Sequence, residues 1–209
     1  MSNDHTHTHD DSHAPITHEE TPGYYEILEI SIRELLVEKE LIGANEIREQ
    51  IELLDSRSPA LGSMLVARAW MDPAFKNRLL ANGNAAAEEM GISIYDDTDF
   101  TVLENTEQVH HIIVCTLCSC YPRPILGLPP DWYKSKEYRS RAVREPRAVL
   151  AEFGTIIPDS TKIVVNDSTA NLRYMVLPLR PKGTENFTEQ ELATLVTRDA
   201  MIGVKVLHA

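Results

Sequence analysis

Val114-Cys115-Thr116-Leu117-Cys118-Ser119-Cys120, continued by Tyr121-Pro122-Arg123-Pro124-Ile125-Leu126-Gly127-Leu128-Pro129-Pro130, decides how the other parts of this 209-residue chain are read. Its C-x-x-C-x-C spacing gathers all 3 cysteines of the chain into one short loop. A disulfide framework needs dispersed pairs, and cysteines two or three positions apart rarely meet the separation and dihedral of a bridge. The common iron–sulfur clusters need four thiolates, and a structural zinc site needs four ligands. A histidine would therefore have to join. His110 and His111 are nearest, but they precede Ile112-Ile113-Val114, an apolar run that reads as a strand leading into the loop.

Three thiolates in so short a loop can close on one metal ion. The peptide nitrogens of Ser119 and Cys120 lie between the last two sulfurs and face the same ion. Deprotonated, they complete a set of three sulfurs and two nitrogens with one position left for water or substrate. Removing a proton from a peptide amide takes a strong Lewis acid, so a trivalent low-spin ion suits this set better than zinc does.

Outward from the loop, Pro122, Pro124, Pro129 and Pro130 predict an extended course over the metal, since proline fixes φ and removes backbone donors. Asp131 or Ser135 opens a helix toward Val149 and Phe153, interrupted near Pro146. Residues 162–165 and 172–177 read as two strands joined by the polar turn 166–171. Thr188 with Glu191 forms a capping box for a last helix through Val196. Before the loop the periodicity is helical. Tyr25, Leu28, Ile32, Leu35 and Leu36 make one stripe, stopped at Gly43. Asn45 is placed to cap a second helix carrying Ile47, Ile51 and Leu54. Pro59 begins a third with Leu61, Leu65 and Trp70, and Asp72-Pro73 caps a fourth over 74–81. Gly83 and Gly91 end that helix and the next short one. These stripes are packing faces, and nothing in them calls for a cofactor. Helices gathered before the loop and mixed elements after it give an α+β fold. The expected division is a disordered leader over 1–23, a helical arm over 24–91 and a metal-binding catalytic domain over 92–209.

Charge divides the same way. Residues 1–110 hold 22 Asp and Glu against 7 Lys and Arg, while residues 111–209 hold 10 against 13, within a net charge of −12. The basic excess lies near the cysteines at Arg123, Lys134, Lys136, Arg139, Arg141, Arg144 and Arg147. Guanidinium groups there would stabilise an anionic metal loop and hydrogen-bond oxidised sulfur. For Lys136 and Arg144 a solvated helix face is the simpler reading. Acidic net charge without interleaved aromatic residues speaks against nucleic acid. No run of 18 apolar residues is present, which excludes a membrane-spanning helix. The polar N-terminus lacks a signal peptide's apolar core, and clustered free thiols suit a reducing compartment, so the cytoplasm is expected. His5, His7, His9, His13 and His18 make the leader histidine-rich, either to collect metal or as a polar tail without a role.

Cys115 through Pro122 resembles the metal-binding claw of the nitrile hydratase alpha subunit and of its relative, the thiocyanate hydrolase gamma subunit. The likeness extends through Leu128–Lys134, Tyr138–Arg141, Arg173-Tyr174 and Thr197–Val204. It implies a layered α/β metal domain whose helical arm embraces a partner. Thr at the second claw position goes with cobalt in that family, so Thr116 implies one cobalt(III) per chain. The ligands would be Cys115, Cys118, Cys120 and the nitrogens of Ser119 and Cys120. Cys118 would become a sulfinate and Cys120 a sulfenate, and Cys120 with Ser119 would carry the catalysis, the sulfenate oxygen attacking carbon or serving as base toward water. The resemblance also implies a beta-type subunit in a heterodimer or larger heteromer, whose arginines bind the oxidised sulfurs, and a cobalt-loading activator protein. Nitrile hydration to the amide is the implied activity.

Arg123 departs from that pattern. Most nitrile hydratases carry Trp there, and also where Asn166 and Phe187 stand, whereas Tyr121-Pro122-Arg123-Pro124 matches thiocyanate hydrolase. The leader and Tyr25–Glu29 resemble that enzyme too, whereas Gly127–Pro130 and the acid-rich last helix are closer to nitrile hydratase. Arg123 is thus a candidate contact for an anionic or polar substrate, with thiocyanate as the alternative to a nitrile, or it braces a subunit interface. A zinc-binding or redox-sensing interaction protein is the alternative of a different class.

Overall fold

A computed structural model describes residues 23–94, 98–118 and 120–208, the side chains of 44 and 53–56 excepted. The histidine-rich leader, Ser119 and the Leu54 side chain lie outside the described residues. Two compact units meet between Glu49 and Gln50.

In the first unit α1 (Tyr24–Glu38) leads into the start of α2 (Ala44–Ser56). The expected α1 stripe forms, yet no residue of the helix is buried. Tyr25 is 80% exposed and Ile32 50% exposed. Tyr25, Leu28, Ile32, Leu36, Ile42 and Ile47 line an apolar hollow of about 550 Å³ within this unit. Asn45 does not cap α2. The Gly43 N–H donates to Glu46 Oε2 at 2.8 Å instead, two residues earlier than the side-chain pattern suggested.

The second unit begins with α3 (Ala60–Met71), α4 (Pro73–Ala81) and α5 (Gly83–Glu89). Asp72 caps α4 as expected, accepting from Ala74 and Phe75 N–H groups at 2.9 and 3.0 Å. Asn82, which the sequence reading passed over, caps α5 by accepting from the Ala85 N–H. Four strands follow from separate parts of the chain: β1 (Asp99–Glu104), β2 (Val109–Val114), β3 (Lys162–Asp167) and β4 (Leu172–Leu177). β3 and β4 are the two expected strands, but they do not pair with each other. β4 runs parallel to β1 from Asp99↔Leu172 to Glu104↔Leu177, and β3 runs parallel to β2 from Val109↔Lys162 to Val114↔Asp167. Parallel pairing requires a long crossover, so residues 168–171 pass the chain between two ladders instead of closing a hairpin.

The crossover from β2 to β3 holds the cysteine loop and α6 (Arg123–Leu126), α7 (Asp131–Lys134), α8 (Lys136–Arg144) and α9 (Pro146–Glu152). The proline-dense segment is therefore not extended throughout. Its prolines fall at the first turn of α6 and directly before α7, positions where a missing N–H costs nothing. Ser135 separates α7 from α8 and caps the latter through Tyr138 N, and Pro146 starts α9. The Thr188–Glu191 box caps α10 (Glu189–Leu195) as expected, and one further short helix, α11 (Arg198–Ile202), follows it.

Leu65, Leu79, Ile112, Ile125, Leu126, Met175 and Met201 are fully buried, tying α3, α4, β2, α6, β4 and α11 into one core. Gly203, in left-handed conformation at φ 91°, ends α11 directly against the His111 carbonyl, where any side chain would collide. Its own carbonyl lies 2.7 Å from Nε2 of the buried His110, whose Nδ1 lies 3.2 Å from Asn105 Nδ2. Those partners fix the neutral tautomer: Nε2–H donates to the carbonyl and Nδ1 accepts from the amide.

Burial holds His110 below its ordinary value despite the carbonyl that favours its charged form, and burial does the same to His111. The native state thus binds protons less readily than the unfolded chain. These histidines contribute stability in full above about pH 6.5 and lose it as pH falls from there toward their lower native values. Urea unfolding should show stability falling between pH 7.5 and 5.5, by at most about 1.4 kcal/mol per pH unit for each group. His110→Gln, which cannot titrate, should flatten that slope; an unchanged slope would remove His110 from the effect.

Candidate metal centre

The cysteine loop begins where β2 ends, and the β2–β3 register decides what stands beside it. Val114 pairs with Asp167, so the Asp167 carboxylate flanks the first residues of the loop. It accepts from the Thr116 N–H at 2.9 Å and from the Thr116 hydroxyl at 2.6 Å, across a separation of 51 residues. Ser168 N–H donates to the Val114 carbonyl at 2.8 Å. On the other side the Tyr138 hydroxyl donates to Ile113 O at 2.6 Å and the Tyr133 hydroxyl to Cys120 O at 2.9 Å. Arg139 Nη1 donates to Cys118 O at 3.0 Å. Tyr133 and Tyr138 belong to an edge-packed aromatic cluster with Tyr121, Trp132 and Phe153, ring centroids 4.7 to 5.8 Å apart along the chain of contacts. Such packing locks rotamers, so the loop is pinned by rigid donors.

Those tethers bring the three sulfurs together. Cys115 Sγ lies 3.4 Å from Cys118 Sγ, which lies 3.2 Å from Cys120 Sγ, and all three fall within 4.8 Å of one another. The Cys118 N–H points at Cys115 Sγ, 3.3 Å away. Cys115 is buried, Cys118 exposed and Cys120 between the two. These separations are too long for disulfides, whose sulfurs stand about 2.05 Å apart. Metal–sulfur bonds of about 2.3 Å put neighbouring sulfurs about 3.3 Å apart at the corners of an octahedron and about 3.8 Å apart in a tetrahedron. The Cys115–Cys118 and Cys118–Cys120 separations lie nearer the octahedral figure than the tetrahedral one. His110 and His111 do not join, being committed to Gly203 O with Asn105 and to Asn166 respectively. Among the described residues no histidine or carboxylate enters the sulfur group, which leaves a zinc tetrahedron without its fourth ligand.

Electrostatics call for a cation at this point. Burial and the neighbouring Cys118 sulfur push the Cys120 thiol up to about 12, against the pull of the Arg173 guanidinium. Burial likewise raises Tyr133 and Tyr121, so both phenols stay neutral and the Tyr133 hydroxyl remains a donor. Three thiolates at these distances repel one another unless a metal ion lies between them, and the donor set fits one.

The basic residues singled out from sequence divide sharply. Lys134 pairs with Asp131, Arg141 with Glu145 and Glu152, and Arg147 binds the Ile157, Pro158 and Thr161 carbonyls. Lys136 and Arg144 line a groove of about 650 Å³ with Thr116, Leu117, Arg139, Ser140 and Val143, without a hydrogen bond to the cysteines. Among the described residues, Arg139 is the member of that group that bonds the loop. Arg123 opens α6 with its side chain exposed and, among the described residues, no partner for its guanidinium. Asp167, Tyr133 and Tyr138 were not foreseen as supports, and Arg173 was noticed only as part of a resemblance.

With fold and site in hand, comparison with known proteins gives the class. The nitrile hydratase alpha chain family matches residues 23–205, and the chain belongs to that family. It is 54% identical over 173 residues to the low-molecular weight cobalt-containing nitrile hydratase subunit alpha of Rhodococcus rhodochrous, covering 82% of this chain and 84% of that one. It is also 44% identical over 193 residues to the thiocyanate hydrolase subunit gamma of Thiobacillus thioparus, covering 87% and 79% of the two chains. Among solved structures, a double mutant of the Fe-type nitrile hydratase from Comamonas testosteroni Ni1 matches with a TM-score of 0.83 at 46% identity, over 88% of this chain and 91% of that one. A recombinant thiocyanate hydrolase comprising partially modified cobalt centres matches with the same TM-score of 0.83 at 42% identity, over 88% and 90%. The α+β fold expected from the sequence is the fold of these relatives.

Removing the Asp167 carboxylate should loosen the loop before any question of metal arises. In Asp167→Ala the Thr116 amide should exchange its hydrogen roughly ten- to a hundred-fold faster, the equivalent of one lost hydrogen bond to a charged group. Unchanged exchange would show that Thr116 is held by something else.

Proposed function

We propose that this chain is the metal-binding subunit of a cobalt-type nitrile hydratase, adding water to a nitrile to give the amide. The convergence of the Cys115, Cys118 and Cys120 sulfurs within 4.8 Å of one another carries this reading. Cys115, Cys118 and Cys120, with the nitrogens of Ser119 and Cys120, would hold one cobalt(III). Cobalt named in relatives up to 54% identical supports that choice of ion. When bound, cobalt supplies Lewis acidity toward the nitrile and its nucleophile. The protein's part is to hold the loop: Asp167, Tyr133 and Arg139 fix its backbone, and buried Cys115 closes it toward the core. Cys118 as sulfinate and Cys120 as sulfenate would face outward, where Cys120 oxygen serves as nucleophile or base and Ser119 completes the catalytic loop. Exposed Cys118, Leu117 at 88% exposure and the uncovered α1 stripe support a beta-type second subunit that closes over the site and receives the arm. A cobalt-loading activator and a cytoplasmic location belong to the same proposal, as does the three-part division at residues 23 and 91.

Thiocyanate hydrolysis to carbonyl sulfide and ammonia is the second reading, and Arg123 favours it. Its exposed guanidinium has no partner among the described residues and stands three positions from Cys120. Bracing a subunit interface by pairing with a carboxylate of the partner is the other role open to the same exposed guanidinium.

Two measurements test these readings. The chain coexpressed with its beta-type subunit should carry one cobalt, and its claw peptide should weigh about 48 Da more than encoded, for three added oxygens. An active preparation with three unmodified thiols would refute the oxidised claw, and full cobalt retention in Cys118→Ala would refute the ligand set. Arg123→Trp should shift relative turnover from thiocyanate toward an apolar nitrile by roughly ten- to a hundred-fold, the worth of one charged hydrogen bond. It should leave the isolated chain's stability unchanged. An unaltered ratio would take Arg123 out of the site.

A further inference from the structure

The loop has a charge to settle on its backbone as well as on its sulfurs. On the reading above, which this inference presupposes, the Ser119 nitrogen is a ligand. That nitrogen belongs to the peptide whose carbonyl is Cys118 O. Peptide resonance spreads charge between nitrogen and oxygen, so a peptide nitrogen serving as an anionic donor puts part of its charge on the carbonyl oxygen of the same plane. Cys118 O is the atom to which Arg139 Nη1 donates at 3.0 Å.

Other features of α8 single out Arg139 for this task. Its remaining hydrogen bond runs from Nε to Ser135 O at 3.4 Å, and among the described residues no carboxylate neutralises it. Arg141, two positions on, is committed to Glu145 and Glu152 on another face of the helix. Arg144 bonds the Ser140 carbonyl, one turn back on the same helix. Tyr133 also donates to a claw carbonyl, but Cys120 O belongs to the peptide after the claw and shares no resonance with either ligand nitrogen. Among the described residues, Arg139 is the cation that bonds the Cys118 carbonyl of a ligand-bearing peptide.

We propose that Arg139 is a positioning residue for the metal centre, holding the oxygen of the Cys118–Ser119 peptide toward α8 and taking up the charge that peptide gathers when its nitrogen binds the ion. In a trans peptide the C=O and N–H directions oppose one another, so a carbonyl held toward α8 would leave the donor direction of a deprotonated nitrogen facing away from it. The guanidinium fork fixes that plane, and its charge lowers the cost of an anionic donor. The role is distinct from contact with oxidised sulfur, because the bonded atom is backbone oxygen.

The test uses the full chain coexpressed with its beta-type subunit in cobalt-supplemented medium, as wild type and as Arg139→Ala, Arg139→Gln and Arg139→Lys. Cobalt loss to excess EDTA should be roughly ten- to a hundred-fold faster in Arg139→Ala, the scale of one charge-assisted hydrogen bond. Lysine should recover part of the retention by restoring charge. Glutamine, able to orient the carbonyl but neutral, should recover less. Cobalt still held by Arg139→Ala should show a displaced visible absorption band, because its nitrogen donor keeps more of the charge. The metal-free forms should unfold at the same midpoint. Wild-type retention in Arg139→Ala overturns the proposal, as does faster loss that merely follows a lowered midpoint, or glutamine equal to lysine. A wild type that takes up no cobalt refutes the metal reading itself, whereas a loaded wild type matched by Arg139→Ala refutes only the role of Arg139.

Discussion

The parallel ladder between β2 and β3 is the constraint on which the site depends. It sets Val114 opposite Asp167, and from that register follow the carboxylate on Thr116 and the Ser168 bond to the Val114 carbonyl. A slip of one residue would turn Asp167 to the opposite face of its strand and leave Thr116 unheld. The loop has no ladder of its own, so its shape is borrowed from this neighbour, from α7 and from α8.

Binding at the carboxyl ends of parallel strands is a general property of such sheets, because loops there are held by a rigid scaffold and remain free to vary. Here the scaffold is unusually aromatic. Tyr121, Trp132, Tyr133, Tyr138 and Phe153 fill the space under the loop with rings that have few rotamers, and two of their hydroxyls tether backbone carbonyls near the cysteines. Burial keeps those phenols neutral, so they remain donors over any working pH. A loop held this way would meet an ion already ordered, which would reduce the ordering cost of binding one.

Charge is arranged with similar economy. Lys134, Arg141, Arg144 and Arg147 are absorbed by local carboxylates or carbonyls, and Arg173 bonds the Thr169 and Leu172 carbonyls, while Arg139, Arg173 and Arg123 stand in different relations to one small loop. Arg139 reaches backbone, Arg173 acts on Cys120 through space, and Arg123 faces outward. The outward side of the loop leaves Leu117 and Cys118 exposed.

The claw, the family and the capping signals were legible in the sequence because they are local. C-x-x-C-x-C puts three sulfurs into one short loop, and Asp72, Ser135 and Thr188 cap helices through neighbours three residues away or fewer. Strand pairing was not legible. Residues 162–165 and 172–177 looked like partners because they are close in sequence, and the energetics of long crossovers leave no local mark. For the same reason Asp167 read as part of a polar turn, and nothing adjacent to Tyr133 or Arg139 announces a bond to Cys120 or Cys118. The sequence by itself determined which atoms can bind a metal. Tertiary structure decided which residues hold those atoms still, because that depends on contacts between segments tens of residues apart.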